Sequence, residues 1–146
     1  MKRTWINILK AGAILLGGIV VLSLFWFAYL GITILLEATI FHENPQDLPQ
    51  GSLRNLLVLL VCVLIIFLMN TKLYDTIKGM LLLSGISVFI IAIVLHFYTI
   101  IWLAVILTVL LSGIIIWILI KKHKPWFYYL ALGMGVFIAL LYAWPK

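Results

Sequence analysis

Between Gly79 and Ile120 the chain carries no Asp, Glu, Lys or Arg. As one straight helix this stretch would run roughly 63 Å, at about 1.5 Å per residue. A bilayer's hydrocarbon core is only about 30 Å thick. The stretch therefore has to fold back on itself, in or at the edge of a membrane. Polar and interfacial side chains cluster within it at one point, His96-Phe97-Tyr98-Thr99. This predicts a tight turn there, joining two membrane spans.

Composition agrees with a membrane setting. Apolar residues make up 66% of the chain and charged residues 10%, with a mean hydropathy of +1.31, too little polar surface for a water-soluble domain. The net charge of +6 does not point to nucleic acid. Lys and Arg stand at the ends of apolar runs, where they set membrane orientation. The single cysteine, Cys62, lies inside an apolar run. It has no intrachain disulfide partner, and its reading is a small buried or lipid-facing side chain.

Five spans are expected, at about 11–36, 53–69, 79–95, 100–120 and 126–143, in a single domain over residues 1–146. The segment before them, with Lys2, Arg3, Trp5 and Lys10, reads as a basic and aromatic anchor at the membrane surface. The run from Ala11 to Leu36 is longer than a signal peptide's apolar core, and no A-x-A site follows it, so it reads as a retained span. Residues 38–52 form the one sizeable loop, punctuated by Pro45, Pro49 and Gly51, which break helical continuity. Lys121-Lys122-His123-Lys124-Pro125 separates the last two spans.

Charge orients the bundle. With the N-terminus inside and the C-terminus outside, Arg54 and Lys146 alone of the ten Lys and Arg lie outside, a strong positive-inside bias. The loop at 38–52 then faces outward. A four-span arrangement would put Lys121, Lys122 and Lys124 outside and ranks below this one.

In lipid, helices associate through close packing and hydrogen bonds more than by hiding apolar surface. Ala131, Gly135, Ala139 and Ala143 fall four apart in the fifth span, and Ala104, Thr108 and Ser112 do so in the fourth. Residues four apart share one helix face. These two stripes are candidate packing seams, and the short Lys-rich connection makes the last two helices antiparallel neighbours. Ala13 and Gly17 repeat the small-residue spacing in the first span.

Chemistry is harder to find. Ionisable residues at mid-depth mark most intramembrane active sites and proton pathways, and no Asp, Glu, Lys or Arg falls at the centre of any span. Metalloprotease, serine-hydrolase, Walker and Rossmann signatures do not occur, and no catalytic residue is assigned. Ser84 and Ser87 have no base at their depth, and the ordinary role of such serines is a bond to the preceding turn. One outer-face polar cluster is a candidate: Glu37, His42, Glu43, Asp47 and His96. Its side chains are of types that bind divalent metals or do acid–base work, but their spacing matches no ligand pattern, and charged loop residues are usually solvated. No metal or cofactor is expected.

The sequence thus reads as an all-α integral membrane protein, a five-helix bundle, multi-pass in the cell membrane, of bacterial-looking Ile/Leu-rich and Lys-over-Arg composition. Its expected role is non-enzymatic: an accessory, assembly or regulatory subunit, or an immunity-type protector, packing on a larger membrane protein. The expected partners are the bilayer and that protein, or a second copy. The alternatives are a small transporter or channel component acting as a homo-oligomer, and an enzyme on lipid-linked substrates at the outer face.

Overall fold

The structure, a computed structural model, describes residues 2–40 and 49–143. Its described residues form five helices and no strand: α1 Lys2–Thr39, α2 Gln50–Met69, α3 Asp75–His96, α4 Ile101–Lys121 and α5 Trp126–Ala143. All five are long and apolar enough to cross a membrane. Helices are what such sequences must form in hydrocarbon, where each backbone N–H and C=O needs a partner within its own segment.

The ends of the helices follow local chemistry. Residues 2–10 carry no Gly or Pro to stop a helix, so α1 begins well before Ala11 and its 38 residues span about 57 Å. Pro49 stands at the N-cap of α2, and Gly51 and Ser52 are helical, so the loop expected at 38–52 is shorter than its sequence implied. After His96 the chain turns through Phe97–Thr99, and the Ile100 N–H closes onto the Phe97 carbonyl at 2.8 Å. The hairpin therefore sits where the polar cluster predicted it.

The α4–α5 connection has a defined motif. His123 adopts φ 47°, the left-handed region. The Lys124 N–H reaches the Leu119 carbonyl and the His123 N–H reaches that of Ile120, both at 3.0 Å. This pair of bonds is a Schellman ending, which satisfies carbonyls the helix would otherwise leave open. Pro125 then forbids continuation.

α3 is the hub. It packs against all four other helices, most extensively α5 and α1. Half of its most apolar stretch is buried, 50% against 17% for α4. Glycines allow this crowding. Met80 of α3 lies over Gly17 of α1, and a Cβ on Gly18 would come 2.8 Å from the Leu83 side chain. Ile14 of α1 and Phe127 of α5 both approach Gly79 of α3. Ile65 of α2 seats on Gly85 of α3. A Cβ on Gly135 of α5 would lie 2.9 Å from the Leu83 carbonyl oxygen of α3. Small residues at a helix contact let backbones approach this closely.

These pairings also fix direction. Residue numbers rise together along α1, α3 and α5, which are parallel, while α2 and α4 run against them. Lys10, Lys72, Lys78, Lys121, Lys122 and Lys124 consequently gather at one end of the bundle. Arg54 and His96 lie at the other. Near the basic end Ile14, Leu83, Leu119, Phe127, Tyr128 and Ala131 form one buried cluster, and farther along Ile86, Ile90, Leu132 and Ala139 form a second.

Candidate functional site

The α5 stripe is buried throughout: Ala131, Gly135, Ala139 and Ala143. At Gly135 it is turned to α3, and not to α4 as the short connection suggested. The reason is on α3, where Ser87 donates a hydrogen bond to the Gly135 carbonyl at 3.0 Å. Connection length decides which helices are sequential; surface fit decides which ones interlock. Along α4, Ala104 and Thr108 are buried while Ser112 is half-buried. The Thr108 hydroxyl bonds back to the Ala104 carbonyl and that of Ser112 to the Thr108 carbonyl. Ala104 and Thr108 share a small cavity of about 30 Å³ with Val94 of α3 and Leu140 and Ala143 of α5. Of the four helices around the hub, α4 has the least extensive contact with it.

The polar cluster is only partly visible. Glu37 is half-buried near the end of α1, and His96 is exposed at the end of α3, its ring edge-on to Phe97 at 4.8 Å. His42, Glu43 and Asp47 lie outside the described residues. Among the described residues, no three His, Cys, Asp or Glu side chains gather as a metal site would need.

A larger feature was not anticipated. Between α1, α2, α3 and α5, toward the end opposite the lysines, lies a cavity of about 410 Å³. This is within the roughly 300–1,000 Å³ range of ligand pockets. Its walls come from Leu22 to Tyr29 on α1, Arg54 to Val61 on α2, Val88 to Leu95 on α3, and Ile138 and Tyr142 on α5. On each of the first three helices that is about two turns, or roughly 10 Å of rise, so the cavity is elongated along the helices. Its origin is geometric. α2 rests on α3 by seating Ile65 on Gly85, near its far end, and medium-sized Val58, Val61 and Val88 do not fill the space where it stands off.

Two features give the cavity a polar rim. Trp26 meets Tyr142 edge-to-face at 6.0 Å and Tyr29 at 5.9 Å, an arrangement suited to the membrane interface, where aromatic rings place an apolar body and a polar tip. Among the described residues the only formally charged side chain in the lining is Arg54, one turn into α2. Its Nε is buried and has no hydrogen-bond partner among the described residues. A buried donor without a partner is costly, more so when charged. Sequence reasoning used Arg54 only to orient the bundle. The signal was its position: it is one of only two basic residues expected on that side, and it stands one turn into an apolar helix.

At the basic end a second polar contact joins α5 to α3. The buried Tyr128 hydroxyl donates to Asp75 Oδ1 at 3.0 Å, and Lys124 Nζ stands 5.3 Å from the Tyr128 ring centre, within cation–π range. Asp75 also stands in the first turn of α3, where a negative charge complements the helix dipole. This contact ties two helix starts together.

Comparison with protein-family models, with curated proteins and with solved structures gives no match.

Proposed function

We propose that the protein is a non-enzymatic, multi-pass component of a bacterial cell membrane, an accessory or regulatory subunit, whose working part is the cavity between α1, α2, α3 and α5. One observation carries this reading: a single chain leaves about 410 Å³ of space between four of its helices. A half-open cleft of this size between membrane helices is suited to an amphipathic molecule. The lysine-rich end faces the cytoplasm by the positive-inside rule, so the cavity opens in the outer leaflet. α4, whose contact with the hub is the least extensive, is the face best suited to a larger membrane partner.

Narrowing the cavity tests this. Ala92 is buried at 9% exposure and lines the space. Ala92→Phe and Val58→Phe each place a ring in it. Wild-type protein purified in mild detergent is expected to retain an amphiphile, seen by native mass spectrometry, and both variants to lose it. Equal retention by all three, or none by the wild type, overturns the reading.

A carrier is the second reading, favoured by the cavity's lying within one chain. It requires the plug of Ile14, Leu83, Phe127 and Tyr128 at the basic end to open. Uptake of labelled lipid across proteoliposome membranes would favour it over a static binding role.

A further inference from the structure

We infer that the occupant of the cavity is a phospholipid of the surrounding bilayer, with one acyl chain between α1, α2 and α3 and its phosphate on Arg54. The inference rests on the amphiphile reading above and adds the ligand's phosphate and orientation.

Charge complementarity is the first argument. Among the described residues Arg54 is the only charged side chain of the lining, and its Nε has no hydrogen-bond partner there. Guanidinium presents a planar fork of donors that fits a phosphate in a two-point contact. Arg54 also stands one turn from the start of α2, where the helix dipole adds to its positive potential. A lipid without a phosphate would offer the guanidinium no anion.

Shape and depth are the second. The cavity is elongated along the helices, and a single hydrocarbon chain can lie along the two-turn walls of Leu22, Phe25, Val61 and Val88. An apolar transmembrane helix of a partner would leave Arg54 without an anion. Arg54 stands at the rim with Tyr29 and Tyr142, at headgroup level, and the apolar walls continue toward mid-membrane. A lipid entering from the outer leaflet meets these groups in the order of its own atoms.

The experiment uses the full chain in nanodiscs or mild detergent. Phosphatidylglycerol and diacylglycerol of the same chain length, with and without the phosphate, are compared by thermal shift and native mass spectrometry, with wild type, Arg54→Gln, Arg54→Lys and Ala92→Phe. Wild type is expected to prefer phosphatidylglycerol by about tenfold or more, as for a hydrogen bond to a charged group. Arg54→Gln should bind the two lipids alike, and Arg54→Lys should keep part of the preference. A preference that survives in Arg54→Gln, or none in wild type, overturns the inference; in the first case the lysines of the other end account for it. Inorganic phosphate alone should give no shift. If it shifts wild type as strongly as the lipid does, the site is for a soluble anion and the lipid assignment falls. Ala92→Phe separates the two levels. Loss of both lipids there with no phosphate preference in wild type leaves the amphiphile reading standing and removes this one; undiminished binding of both lipids in Ala92→Phe removes both.

Discussion

The Ser87 hydroxyl on α3 lies 3.0 Å from the Gly135 carbonyl on α5, and 2.9 Å from the Leu83 carbonyl of its own helix. One proton thus serves two acceptors, and the Gly135 carbonyl is reachable only because Gly135 lets the two backbones meet. Here the contact is with backbone: a Cβ on Gly135 would stand 2.9 Å from the Leu83 carbonyl oxygen. It explains why a serine is buried where no base or metal accompanies it.

Gly135→Leu should be strongly destabilising. The added Cβ alone would stand 2.9 Å from a backbone oxygen of α3, which cannot rotate away as a side chain can, and overpacking of this kind costs about 1–3 kcal/mol or more. Phe137 is 55% exposed, so Phe137→Leu, whose lost volume lipid tails can refill, should cost well under that. Detergent melting temperatures of the two variants check this; equal values would mean that the α3–α5 contact contributes little.

Ser87→Ala should cost about 0.6 kcal/mol, the usual scale for an interhelical hydrogen bond in a membrane. Because Gly135→Leu drives the helices apart, Ser87→Ala should cost almost nothing in that background. A double-mutant cycle measures the coupling, and additive losses would place the serine bond outside the close contact.

Single cysteines in a Cys62→Ala background check the topology. An impermeant thiol reagent added outside should label positions 98 and 146 but not 2, 88 or 108. Position 98 belongs to the turn between α3 and α4, whereas Val88 and Thr108 lie within those helices. Protection at 98 equal to that at 88 would contradict the hairpin's exposure, and labelling at 2 would invert the bundle.

His123→Gly should stabilise the protein. His123 holds φ 47°, a conformation that costs an L-residue roughly 1–2 kcal/mol and glycine little. Part of that is returned through the greater entropy glycine gives the unfolded chain, so a net gain of about 0.5–1 kcal/mol is expected. A lower melting temperature would show that the imidazole makes a contact worth more than the strain.

The number of helices and the hairpin at His96–Thr99 were legible because both rest on one-dimensional signals: apolar run length against bilayer thickness, and polar side chains interrupting such a run. The buried stripe of α5 was visible for the same reason, since period four needs no knowledge of neighbours. Its partner was not. Gly17, Gly18, Gly79 and Gly85 contact side chains from other helices, and nothing local distinguishes them from Gly113, which has open space around it. The cavity was invisible because it is defined by what four separate segments fail to fill, and Arg54 looked like a topology residue until its surroundings were known.

The hub position of α3 bears on how the chain is built during synthesis. α1 and α2 leave the ribosome first, yet they meet each other only slightly, and each rests on α3. Until α3 enters the bilayer the first two helices have little to hold them together. α5, whose contact with α3 is the most extensive, arrives last. Maturation is therefore deferred: an insertion intermediate ending after α2 is a pair of independent helices, exposed to the membrane's quality-control proteases. Truncation anywhere before α5 forfeits the largest interface of the fold.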